Sequence, residues 1–193
     1  AAFAKASGID PNARLVAEAA EHRRTGRWAK AESAYREILR ADPTAVKIMR
    51  ELGVVLSHTR RFEESIMVLK RAVELSPTFA AAWTDLSIAF QMLDRYEEAL
   101  DCALSAVNLV PDQTRALMVL GESYFQIGKI DKAISTYEKG LKIEPDNVPL
   151  LSAMGIAFRI SGRQQDAIRC YETCISKMPS LGEAYYNLAN LKT

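Results

Sequence analysis

Apolar residues recur along this chain with a period of 34 residues. Each period contains two stretches in which apolar side chains are spaced three or four residues apart, which places them on one face of an α-helix. A proline follows the second stretch of every period, at Pro43, Pro77, Pro111, Pro145 and Pro179. Because proline cannot continue a helix, the pattern predicts successive pairs of amphipathic helices, each pair closed by a proline.

Numbering each of these prolines as position 32 divides the chain into five complete units and one partial unit. In each unit the first helix, helix A, occupies about positions 1–14, and the second, helix B, about positions 17–31. After a lead-in of residues 1–11, the predicted units are residues 12–45, 46–79, 80–113, 114–147, 148–181 and 182–193. The last of these contains only a helix A.

Small residues mark the place where helix A and helix B of a unit cross. Since a large side chain at the crossing would hold the two backbones apart, we expect close helix packing there. Position 8 is small in every unit, and position 20 is Ala31, Ser65, Ala99, Ala133 and Ala167 in the five complete units.

The turn between the two helices carries glycine at position 15 in three units, namely Gly26, Gly128 and Gly162. Glycine is suited to the left-handed conformation that often ends a helix. Arg60 and Asp94 occupy this position in the other two units. Arginine is disfavoured in that conformation, so we expect the turn at Arg60 to differ from the others.

These residues resemble the tetratricopeptide-repeat (TPR) family over about 180 of the 193 residues. The third unit carries the pattern most fully, with Trp83, Leu86, Phe90, Ala99 and Pro111. The resemblance implies an all-α fold, a right-handed superhelical solenoid of antiparallel helix pairs with five hairpins plus one further helix. The family consists mostly of interaction scaffolds, so it implies a protein or peptide partner and no enzymatic activity for this chain.

Composition and motifs add little to this picture. The net charge of +1 argues against a nucleic-acid binder, and no apolar run approaches the roughly 18 residues of a membrane span. The sequence has no nucleotide-binding, serine-hydrolase or zinc-protease motif. Cys102, Cys170 and Cys174 match no metal-ligand spacing and are expected to be small buried side chains in a reducing compartment. We therefore expect a cytoplasmic protein without a cofactor or metal.

The resemblance also implies a binding surface, because A helices line a concave groove in the TPR family through positions that include 2, 5, 6 and 9. Apolar side chains interleaved with charges at these positions suit an extended peptide or a partner helix. For Val54 and Ile88 the alternative is packing between adjacent A helices. The candidate residues are Lys47, Arg50, Glu51, Val54, Asp85, Ile88, Arg115, Met118, Val119, Glu122 and Ile156.

Two binding modes of the family can be compared with these residues. The clamp for a peptide's terminal carboxylate is not present, because Val54, Asp85 and Val119 occupy positions where it needs asparagine or arginine. The asparagine ladder of a glycosyltransferase superhelix needs asparagine repeatedly at position 6, where only Asn187 qualifies. Arg50 and Arg115 remain as cationic groups with few matching acids nearby, and we expect them to contact an acidic or C-terminal part of a partner.

The partial sixth unit leaves two alternatives open. Tyr185, Leu188 and Leu191 have no following helix B to cover them, so we expect the natural protein to continue or residues 182–193 to pack on another chain. A homo-oligomeric structural scaffold is therefore one alternative function. Residues 182–193 also resemble the last repeat before the catalytic domain of bacterial TPR-linked sulfotransferases, which implies the other alternative, the recognition arm of a longer transferase.

Overall fold

The computed structural model describes residues 11–191, so most of the predicted lead-in lies outside the described residues. Within that range the chain forms eleven α-helices and no strand, which confirms the predicted all-α fold of paired helices. The helices are α1 (Pro11–Arg24), α2 (Trp28–Ala41), α3 (Val46–His58), α4 (Phe62–Leu75), α5 (Ala80–Gln91), α6 (Tyr96–Leu109), α7 (Thr114–Gln126), α8 (Ile130–Ile143), α9 (Val148–Ile160), α10 (Gln164–Lys177) and α11 (Gly182–Ala189).

The helices belong to two compact units. The N-terminal unit ends at Leu93 and contains α1–α5, while the C-terminal unit begins at Asp94 and contains α6–α11. In the N-terminal unit α1 pairs with α2 and α3 pairs with α4. In the C-terminal unit α7 pairs with α8, α9 pairs with α10, and α11 packs on α10. The boundaries of the individual repeats stay a prediction.

Each predicted helix B ends two residues before a proline of the 34-residue series. The residue between them is extended, with φ between −125° and −140° in all five cases. The proline ring disfavours the α conformation for the residue before it, so the helix cannot pass this point. The expectation that these prolines stop helix B is therefore confirmed.

The turn at Arg60 has the same conformation as the glycine turns, so the expectation of a different turn was wrong. The φ angle of Arg60 is 61°, compared with 76° at Gly128. A backbone hydrogen bond closes both turns at 2.9 Å, from Arg61 N to Leu56 O and from Lys129 N to Tyr124 O. This hydrogen bond fixes the turn, and Arg60 accepts a left-handed conformation at a cost of roughly 1–2 kcal/mol.

The small residues allow the close crossing of helices that the sequence predicts. A Cβ atom added to Gly53, Gly121 or Gly155 would lie less than 3.0 Å from the side chain at position 24 of the same hairpin, which is Leu69, Tyr137 or Tyr171 respectively. The position-20 residues that face these crossings, Ser65, Ala133 and Ala167, are fully buried. A large side chain of helix B therefore lies directly over a glycine of helix A.

Each unit has its own apolar core. Tyr35, Leu52 and Leu56 are central in the N-terminal unit. The core of the C-terminal unit is built around Tyr137, Leu150, Phe158 and Tyr171. Among the described helices none is long and apolar enough to cross a membrane.

Gly121→Ala tests the crossing directly. Its new methyl group would meet the buried ring of Tyr137, so we expect a loss of about 1–3 kcal/mol in the free energy of unfolding, measured with urea. Gly182→Ala is the matched control, because a Cβ at Gly182 meets nothing within 4 Å and alanine favours the helix. Equal stability of the two variants would show that the crossing tolerates a larger residue.

Candidate partner-binding surfaces

Four charged A-helix residues of the N-terminal unit bind one another in a continuous network. Arg23 of α1 contacts Glu51 of α3 at 2.8 Å, and Arg50 contacts Glu51 at 2.9 Å. Arg50 also donates to Asp85 of α5 at 2.6 Å. The network alternates positive and negative groups and joins three A helices. The side chain of Asp85 is only 5% exposed and that of Arg50 is 21% exposed, so solvent screens this pair weakly.

This network changes the interpretation of Arg50, Glu51 and Asp85. The sequence suggests that Arg50 is short of matching acids, but the structure pairs it with two carboxylates. Asp85 is buried and contributes little surface to a partner. The buried hydroxyl of Tyr35 lies close by, where burial and the charge of Glu51 raise the pKa of Tyr35 while Arg23 opposes that shift. These charged groups therefore offset one another and hold the three A helices together.

The other candidates of the N-terminal unit are more accessible. Lys47 is exposed at the start of α3, and Val54 and Ile88 are half-buried on α3 and α5. Half-burial is compatible both with partner contact and with packing between A helices. The binding role of these three residues stays a prediction.

The C-terminal unit has an open cavity of about 370 Å³ on its A helices. Met118 and Glu122 line it from α7, and Ile156 lines it from α9, so three of the predicted residues meet here. Its complete lining is Met118, Glu122, Val148, Pro149, Ser152, Ala153, Ile156, Met178, Leu181 and Glu183. We call this the α7–α9 cavity. Position-based reasoning missed Val148, Met178 and Leu181, because they lie at the margins of the helices rather than at the groove positions.

Glu122 is the unusual group of this cavity. Its side chain is half-buried, and no hydrogen bond or neighbouring charge among the described residues contributes to the shift of its pKa. Burial raises its pKa, since the ionised carboxylate loses hydration. On α8, burial and the negative charge of Glu122 both raise the pKa of Tyr137. Glu122 is therefore a carboxylate held in apolar surroundings without a cation among the described residues.

Two further candidates on α7 lie outside the cavity lining. Val119 is buried at 3% exposure in the core, so it offers a partner little surface, and its binding role stays a prediction. Arg115 is exposed near the start of α7, and the suggestion that it binds an acidic group stays a prediction.

The C-terminal helix is covered better than the sequence suggests. Leu191 is buried at 9% exposure in the core of α8–α10, and the backbone carbonyl of Leu191 accepts a hydrogen bond from Gln164. Leu188 is half-buried against the same core. Leu191 is therefore covered, against expectation, whereas Leu188 is covered only in part. Tyr185 and Tyr186 are 48% and 68% exposed.

The described part of the chain offers neither a metal-binding cluster nor an accessible thiol. Residues 11–191 contain no group of three or more His, Cys, Asp and Glu side chains that could hold a metal ion. The three cysteines are buried and free of disulfides, as predicted for small core residues. Burial raises the pKa of Cys170 to about 12, which disfavours the reactive thiolate form.

Comparison with known proteins supports the repeat pattern. A tetratricopeptide-repeat family matches residues 16–80 and a TPR-repeat family matches residues 121–159, which together exceed half of the chain. No curated protein sequence matches the chain at a significant level.

Several solved structures resemble the chain. The crystal structure of MamA protein aligns with a TM-score of 0.73 at 27% identity, over 89% of this chain and 94% of that one. TTC0263, a thermophilic TPR protein of Thermus thermophilus, aligns with a TM-score of 0.77 at 19% identity, over 93% and 98%. YrrB, described as a TPR protein with an unusual peptide-binding site, aligns with a TM-score of 0.73 at 18% identity, over 96% and 97%. The similarity to TTC0263 and YrrB supports the fold alone.

Arg50→Ala tests the structural role of the charge network. Removing the guanidinium deprives the nearly buried Asp85 of a close cation, so we expect a loss of about 1–3 kcal/mol in the free energy of unfolding. Lys47→Ala, on the exposed face of the same helix, is the control and should change stability by under about 0.5 kcal/mol. Urea unfolding measures both. Similar values for the two variants would contradict a structural role for Arg50.

Proposed function

The chain is a member of the tetratricopeptide-repeat family, and on that premise we propose that it is a scaffold that binds a peptide or a partner helix on its A helices. The observation that carries the proposal is the α7–α9 cavity, which is open, largely apolar and lined by residues that the sequence assigns to the groove. YrrB, of similar fold, is described as having a peptide-binding site.

The chemistry of the surface favours binding over catalysis. A few polar groups among apolar ones determine how a peptide is oriented, and the apolar area supplies affinity. Met118 and Ile156 supply that area in the cavity, while Lys47 and Arg115 are exposed on A helices of the two units. A cytoplasmic location is part of the proposal, and the three buried free thiols support it.

Binding to an array of short synthetic peptides, in which one residue is fixed and the others are mixed, tests this proposal. Met118→Ala with Ile156→Ala should lower the affinity for the best-bound peptide pool at least tenfold. The reason is the loss of apolar contact area, which contributes about 25 cal/mol of binding free energy per Å². Met67→Ala with Ile143→Ala is the matched control, since it removes exposed side chains of the same types from B helices. Absence of any bound pool, or an equal loss in both variants, would contradict the proposed function.

Self-assembly is a second candidate, supported by the exposed rings of Tyr185 and Tyr186 on α11. Neighbouring aromatic side chains of this kind are enriched at protein interfaces. In this candidate function two copies associate through residues 182–193. The recognition arm of a longer transferase stays a prediction from the sequence resemblance alone.

Sedimentation velocity over a range of concentrations tests self-assembly. We expect the wild-type sedimentation coefficient to rise with concentration, and Tyr185→Glu with Tyr186→Glu to abolish that rise, because two charges at the interface would have to be desolvated. Met67→Glu with Ile143→Glu, which places the same charges on exposed B-helix positions, should leave it unchanged. An oligomer that survives the tyrosine substitutions would exclude α11 as the interface.

A further inference from the structure

The charged residues that line the α7–α9 cavity are all acidic. Two of its ten lining residues are acidic, Glu122 and Glu183, and none is basic. The remaining lining is apolar except for Ser152. A ligand that enters this cavity therefore meets negative charge in a mainly apolar setting, where charges interact more strongly than in water.

Three other acids of the C-terminal unit provide a comparison for Glu122. Asp166 pairs with Arg163 at 2.8 Å, and Asp146 pairs with Lys177 at 2.6 Å. Glu144 accepts a hydrogen bond from Asn147 at 2.8 Å. Glu144 and Asp146 are exposed to solvent, and Asp166 is half-buried. Glu122 is half-buried and differs from these three in having no such partner among the described residues, and burial disfavours its ionised form.

We propose that the α7–α9 cavity receives an arginine or lysine side chain of a peptide partner, whose charged end pairs with Glu122. This inference rests on the proposed function and specifies the chemistry of the partner. The aliphatic part of such a side chain packs on Met118, Ala153 and Ile156, as long cationic side chains commonly do on apolar surfaces. Glu183 adds a second negative charge at the cavity.

Other side chains fit the cavity less well. An acidic side chain would be repelled by Glu122 and Glu183. A purely apolar one would displace water and leave the carboxylate of Glu122 buried without a partner. The volume of about 370 Å³ lies at the lower end of the range for ligand pockets, roughly 300–1,000 Å³, and suits one long side chain with part of its neighbour.

The same peptide array, with the fixed residue varied, tests this inference. Wild type should bind pools with fixed arginine or lysine at least tenfold more tightly than pools with fixed glutamate. Glu122→Gln should reduce that preference at least tenfold while the apolar preferences remain. Glu138→Gln, which removes the same charge from an exposed position of α8, is the control and should retain the wild-type preference.

Thermal unfolding shows whether Glu122 serves binding rather than folding. Since its pKa is raised in the folded chain, the folded chain holds a proton on Glu122 more tightly than the unfolded chain does. The ionised carboxylate of Glu122 therefore destabilises the folded chain near pH 7. This destabilisation decreases as the pH falls towards about 4, the ordinary range of the glutamate pKa. We expect Glu122→Gln to raise the melting midpoint at neutral pH, with a smaller rise at low pH. The other titratable groups near it, Tyr137 and Glu183, are unchanged in this variant.

The outcomes separate this inference from the proposed function. The inference is overturned if Glu122→Gln still prefers pools with fixed arginine or lysine, or if the wild type prefers acidic or uncharged pools. Neither result contradicts peptide binding itself. Binding of no pool overturns both. If sedimentation shows a wild-type oligomer that dissociates on Met118→Ala with Ile156→Ala, a second copy of the chain occupies the cavity and the inference is overturned. A lower melting midpoint for Glu122→Gln assigns Glu122 to the fold and also overturns it.

Discussion

The close crossing of helix A over helix B is the constraint on which the rest of the structure depends. Gly121 and Gly155 have no side chain, and the rings of Tyr137 and Tyr171 occupy that space. Each tyrosine spans the crossing, and its hydroxyl lies near a charged residue of helix A: the charge of Glu122 acts on Tyr137, and Arg159 acts on Tyr171. The packing that stabilises each hairpin therefore also sets the electrostatic environment of the A helices.

The two units use charge on their A helices in different ways. In the N-terminal unit Arg50 links Glu51 and Asp85, so charges offset one another and stabilise the contact between helices. In the C-terminal unit Glu122 lies in an apolar cavity without such a partner among the described residues. A group that destabilises the unliganded fold is typical of a binding site, since a ligand can supply the missing interaction.

The sequence predicts the helices well because the signals for them are local. Proline ends helix B through its own ring, and small residues act at the crossing of one hairpin. The charged contacts were less predictable. Arg50 and Asp85 are 35 residues apart, and their pairing depends on the offset between successive A helices. The conformation of Arg60 follows from the hydrogen bonds of its turn. The burial of Val119 and Leu191 depends on tertiary packing that a one-dimensional pattern does not specify.

The central claim is that the A helices of the C-terminal unit bind a peptide. Methyl NMR of the whole chain during titration with an arginine-containing peptide pool tests it most directly, because methionine and isoleucine methyl groups lie on both A and B helices. If the A helices of the C-terminal unit bind the peptide, the methyl signals of Met118 and Ile156 shift in proportion to occupancy, whereas those of Met67 and Ile143 on B helices do not. Shifts confined to Met67 and Ile143 would place the peptide on the opposite helices and contradict the account.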